Sequence, residues 1–137
     1  MTSLNIVGGG RLGKSVARLA HDSGRYRIGA LLCRSQASAL AARDFVGAGV
    51  ALTTLADLPA ADITLLAVPD GEIAALAADL AAAGVIAAGS VVCHASGVGE
   101  AALLAPLAVQ GVHCASLHPA FSFADPARAV ASFAGTR

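Results

Sequence analysis

Short apolar runs alternate along the chain with longer stretches of helical period. Leu4, Ile6 and Val7 make the first run, which stops at a cluster of glycines and predicts a buried strand over 4–7. Leu12, Val16 and Leu19 then fall on one face of a helix predicted over 11–23, with Gly24 as its stop. The alternation repeats as a strand over 27–33, a turn at Arg34 and Ser35, a helix over 38–45 and a strand over 50–53. Past a loop containing Pro59, residues 63–68 form a strongly apolar strand that ends at Pro69. Asp70 is expected to cap the following helix, which carries Ile73, Leu76 and Leu80. A fifth strand over 91–94 leads through the small turn 95–99 to a short helix over 100–107. The sixth, over 112–117, ends at His118-Pro119, followed by an irregular segment and a last helical turn or two near 128–133.

Apolar runs, rather than strict apolar and polar alternation, mean strands covered on both faces, as in a parallel sheet. Right-handed crossovers then predict a doubly wound α/β sheet in three layers, α/β/α, with strand order 3-2-1-4-5-6. Such a sheet collects its strand carboxyl ends at one edge, where ligands bind. Here that edge gathers residues 8–13, Arg34-Ser35, Val68-Pro69-Asp70, Ser96-Gly97 and His118-Pro119.

The glycine cluster reads in two incompatible ways. Gly8-x-Gly10-x-x-Gly13 is the dinucleotide fingerprint of a Rossmann fold, in which the glycines allow a tight turn and close approach to a pyrophosphate. Gly8-x-x-x-x-Gly13-Lys14-Ser15 also matches a Walker A loop, with lysine on the terminal phosphates and a hydroxyl on magnesium. Either reading puts phosphate at a helix N-terminus, where unpaired N–H groups and the dipole favour negative charge. A P-loop enzyme needs a magnesium-binding carboxylate at the end of another strand, and the one candidate, Asp70, is set off from its strand by Pro69. Gly10 has a role in the Rossmann reading and none in the Walker one. The second strand discriminates further. Rossmann domains select their cofactor about 20 residues past the fingerprint, by an acid on the ribose 2′-hydroxyl for NAD or an arginine near the 2′-phosphate for NADP. The residues there are Arg34, 21 after Gly13, and Ser35. A guanidinium grips phosphate through several donors and Ser35 adds a hydroxyl, so NADP is the expected cofactor.

Composition narrows the partners. With 56% hydrophobic and 13% charged residues, the 137-residue chain suits one domain with a buried core. It has no Trp and one Tyr, so nucleic-acid binding by base stacking is not expected. Net charge is zero but uneven: seven basic residues and one acid lie in residues 1–43, two and eight in the rest, which suits an anion held by the N-terminal part. Three cysteines without CxxC or zinc spacing predict no metal site and a reducing, cytoplasmic setting. Residues 1–5 lack the basic and apolar regions of a signal peptide. The Ala-rich span 73–93 has the length of a membrane helix, but Asp79, Gly84, Gly89 and Ser90 divide it into helix and strand, so no membrane contact is expected.

The combination of Val7-Gly8-Gly9-Gly10-Arg11-Leu12-Gly13, Cys33-Arg34-Ser35, Ala67-Val68-Pro69-Asp70, His94-Ala95-Ser96-Gly97 and Leu117-His118-Pro119 resembles a largely uncharacterised family of Rossmann-like proteins. In that family an NADP-binding N-terminal domain precedes a helical C-terminal domain of unknown function. The chain is similar more distantly to pyrroline-5-carboxylate reductase, ketopantoate reductase and the 6-phosphogluconate dehydrogenase group. The resemblance implies that 1–137 is the N-terminal cofactor domain of a longer, two-domain protein whose second half supplies substrate and dimer contacts. An exposed apolar edge would also allow a homodimer. It implies further that Gly8, Gly10, Arg11, Leu12 and Gly13 hold the pyrophosphate and that Arg34 and Ser35 meet the 2′-phosphate. Val68, Pro69 and Asp70 would line the adenosine or ribose side, Ser96 and Gly97 the nicotinamide ribose, and His118-Pro119 the ring.

The expected function is an oxidoreductase domain moving hydride between NADP(H) and an unidentified small carbonyl or imine substrate. Such chemistry needs a proton donor within hydrogen-bond reach, for which Ser96 and His118 are the candidates. His94 and His113, inside apolar strands, are expected to be core residues. A non-catalytic NADP-binding or sensing module is the alternative, and a P-loop nucleotidase a more distant one.

Overall fold

The computed structural model describes residues 2–8, 11–94 and 104–116. Six parallel strands form one sheet: β1 (Thr2–Val7), β2 (Tyr26–Leu32), β3 (Val50–Leu52), β4 (Ile63–Leu66), β5 (Val91–His94) and β6 (His113–Ser116). Their order is β3-β2-β1-β4-β5-β6, as the right-handed crossovers require. The helices of the described residues are α1 (Arg11–Asp22), α2 (Gln36–Val46), α3 (Asp70–Ala83) and a short α4 (Ala105–Ala108), with a 3₁₀ turn at Leu55–Asp57.

Two apolar clusters show why the runs lack alternation. On one face, Val16, Ala17 and Ala20 of α1 and Ala39, Ala42 and Val46 of α2 pack on Leu4, Ile6, Leu31 and Leu65. On the other, Ile73, Ala77 and Leu80 of α3 join Leu104 and Leu107 against Val7, Leu32, Leu66 and Val92. Sheet and helices therefore form three layers, with central strands buried on both sides. The alanines let helix axes approach the sheet closely, while Leu and Ile supply most of the buried apolar area.

Asn5 is a polar residue in the middle of β1, fully buried. Its side-chain oxygen accepts from the Ala30 N–H at 3.0 Å, and its amide donates to the Pro59 carbonyl at 2.7 Å. The β1–β2 register shifts at this point, between Leu4 and Ile6. Gly29 is required opposite it, because a Cβ there would overlap the Asn5 side-chain oxygen. The pair thus satisfies a backbone donor that the irregular ladder leaves over.

Some expectations need correction. Asp70 is not the cap of its helix: Pro69 holds the N-cap position, with φ −57° and ψ 148°, and Asp70 is the first helical residue. Proline fixes φ near the value needed just before a helix, so the turn forms without a capping side chain. His94 is buried as expected, but His113 is exposed: it opens β6, which among the described residues is the edge strand of the sheet. Strand β4 closes at Leu66, two residues earlier than predicted, and Ala67 and Val68 turn into the ligand edge instead. Among the described residues, no helix is long and apolar enough to cross a membrane.

Candidate functional site

In this strand order β1 and β4 are neighbours whose following helices leave to opposite faces, α1 to one and α3 to the other. Crevices form where connections diverge in this way. Backbone pairing runs past the strand ends to shape the crevice floor: the Gly8 N–H donates to the Leu32 carbonyl at 2.7 Å, and the Ala67 N–H to the Val7 carbonyl at 2.7 Å. Gly8 has φ +116°, a conformation L side chains rarely adopt, and a Cβ there would overlap the Ala67 carbonyl. Gly13 performs the other job expected of a fingerprint glycine. A Cβ on it would lie 2.7 Å from the Ala67 Cβ and 3.0 Å from the Ile6 Cγ2, so its absence lets the first turns of α1 rest on β1 and the end of β4. Arg11 and Leu12 open α1; Gly10 lies outside the described residues.

A cavity of about 670 Å³ occupies the crevice on the β2 side. Its volume falls in the ordinary range for small-molecule and cofactor sites. Val7, Leu32, Leu55, Val68 and Leu76 give it apolar walls, and Gly8, Pro69 and Arg34 stand in the same lining. The site expectations thus converge for Gly8, Arg34, Val68 and Pro69. Asp70 enters as the first residue of α3, next to the lining residues Pro69 and Gly71. Ser35 also has a structural duty. Its hydroxyl accepts from the Ser38 N–H at 3.1 Å and donates to the Ser38 hydroxyl at 3.0 Å, capping α2. Ser96, Gly97 and His118, the nicotinamide-side candidates, lie outside the described residues.

Several lining residues were not among the expected site residues: Cys33, Ser38, Thr53 and Glu72. Glu72 is the most consequential, because its carboxylate forms an ion pair with the Arg34 guanidinium. An acid in the first turn of a helix reads by sequence as a complement to the helix dipole, which conceals any partner on another element. The Cys33 thiol is held above its ordinary value by burial, with the Lys14 charge pulling in the opposite direction. Lys14 itself projects over the Phe45 ring, 5.8 Å from its centroid, in company with Arg18 at 5.6 Å. It therefore faces α2, where a cation over an aromatic face is favoured.

A family model described as a Rossmann-like domain matches residues 1–119 of the chain. The chain belongs to the Rossmann-like family. No curated protein matches it. Among solved structures, this Rossmann-like domain is similar to a Bacteroides fragilis protein assigned as an NADP oxidoreductase, at 16% identity and a TM-score of 0.64, covering 98% of this chain and 68% of that one. It is also similar to the prephenate dehydrogenase of Aquifex aeolicus, solved with hydroxyphenyl propionate and NAD+, at 23% identity and TM-score 0.68, over 87% of this chain and 42% of that one. A third similarity is to the biliverdin reductase of Synechocystis, solved with biliverdin and NADP+, at 18% identity and TM-score 0.66, over 88% of this chain and 39% of that one. The Rossmann-like chain thus spans less than half the length of the latter two.

Proposed function

We propose that this Rossmann-like chain binds NADP(H) across the carboxyl ends of its strands, as the cofactor domain of an oxidoreductase acting on a small carbonyl or imine. The observation that carries the reading is the convergence of Gly8 and Arg34 on one cavity whose walls are apolar. An adenine base suits those walls, a pyrophosphate suits the glycine turn before α1, and a 2′-phosphate suits the exposed guanidinium at the end of β2. The residues present therefore fit a phosphorylated dinucleotide. Nicotinamide, when bound, would supply the hydride; the protein's part is to bind and orient it. Ser96 and His118 remain the proposed proton donors, and substrate and dimer contacts belong to a further domain in this reading.

Calorimetry of the chain with NADPH, NADH and Mg-ATP tests the proposal. NADPH binding is expected without Mg-ATP binding. The Arg34→Glu variant should lose about tenfold or more in NADPH affinity, the order expected for one charge-assisted contact, and keep its NADH affinity. Binding of ATP alone, or equal losses for both dinucleotides, would overturn it.

A further inference from the structure

Arg34 does not wait at the cavity as a free cation. It comes from the end of β2, Glu72 comes from the first turn of α3, and the two pair at the cavity lining. The Arg34 side chain is 84% exposed and that of Glu72 38%, so the pair lies in solvent at the mouth rather than in the core. Neither group is needed there to satisfy a buried partner, and an exposed pair of this kind stabilises the fold little. A second acid, Asp79, lies two helical turns farther along α3 and lines the same cavity. Among the described lining residues, Arg34 is the one cation, in a lining that holds both acids.

We infer that Glu72 is a specificity-determining residue that competes with the ribose 2′-phosphate for Arg34. The inference rests on the dinucleotide reading above and deepens it. A 2′-phosphate reaching the guanidinium must share its donors with the Glu72 carboxylate or displace it, and either way the carboxylate is left beside a dianion. An unphosphorylated ribose imposes no such exchange: its 2′-hydroxyl can donate to a carboxylate oxygen while the ion pair stays formed. The preference of this chain for NADP over NAD is therefore set by the pair, and is narrower than Arg34 alone would give. Sequence rules that read the cofactor from the end of β2 omit this contribution, because the competitor arrives from the helix after β4.

The test isolates the 2′-phosphate. Affinities of the full chain for adenosine 2′,5′-bisphosphate and for 5′-AMP are measured by calorimetry, alongside NADPH and NADH, for wild type, Glu72→Gln and Glu72→Ala. Both variants should tighten the bisphosphate and NADPH by about three- to fivefold, the worth of an exposed pair, while 5′-AMP stays unchanged in Glu72→Gln, which keeps an acceptor oxygen, and binds no more tightly in Glu72→Ala. A purely structural role would move both adenosine ligands together. An unchanged ratio, or weaker bisphosphate binding in variants that melt like wild type, overturns the role of Glu72 while leaving the dinucleotide site intact. Failure of the wild-type chain to bind any of the four ligands overturns the site reading itself, and the inference with it.

Discussion

Replacing Gly13 by alanine sets two effects of known size against each other. Gly13 is a helical residue of α1, and on propensity alone alanine should stabilise the helix by about 1 kcal/mol. The tertiary setting opposes this. The added Cβ would stand 2.7 Å from the Ala67 Cβ, and ordinary contact begins at 3.4 Å, so the two must separate by 0.7 Å. The Ala67 Cβ is fixed to the backbone and has no torsion by which to retreat, so α1 or the end of β4 must move. Overpacking of this kind costs roughly 1–3 kcal/mol, which exceeds the propensity gain. A net loss of about 1 kcal/mol is expected, seen as a fall in melting temperature of about 4 °C in a domain of this size. Adding Ala67→Gly removes the obstructing atom, so in a double-mutant cycle the two substitutions should be coupled by about 1 kcal/mol rather than additive. The helix that retreats is also the one whose N-terminus faces the proposed pyrophosphate, so NADPH binding should weaken about two- to fivefold. Stability equal to or above wild type for Gly13→Ala, or an additive cycle, would refute the packing argument.

Other consequences concern the core. Burial holds the Cys93 thiol far above its ordinary value of 9.0, and Cys33 and Cys114 are raised for the same reason. The native state keeps these protons after the unfolded chain has lost them, so stability is intact below pH 9 and falls as pH rises past it, by up to about 1.4 kcal/mol per pH unit for the buried Cys93. Urea titrations between pH 7 and 10.5 should show a shallower alkaline loss for Cys93→Ala, and parallel slopes would contradict the assignment. Asn5→Leu strands the Ala30 N–H and the Pro59 carbonyl, at a cost of about 2–4 kcal/mol in urea unfolding. A cost under about 0.5 kcal/mol would show that those groups find other partners.

Much of this protein was legible before its structure. Strand and helix periods are properties of consecutive residues, so the six strands, the helices on both faces and the order β3-β2-β1-β4-β5-β6 followed from pattern and crossover handedness. Gly8 and Gly13 could be assigned to a tight turn and a close helix approach from spacing alone. Local chemistry was less legible: Ser35, expected at a phosphate, also caps α2 within its own turn, and Asp70, expected as a cap, yields that position to Pro69.

What tertiary structure alone decided are the pairings between elements far apart in the chain. Ala67 explains why Gly13 must lack a side chain, Asn5 explains Gly29, and Phe45 takes up Lys14. Above all, Arg34 reads in sequence as a cation awaiting an anion, and the fold already gives it one in Glu72. Periodicity can say that the end of β2 and the start of α3 reach the same edge of the sheet. Which side chains meet there depends on register and helix approach distances that only the packed chain fixes.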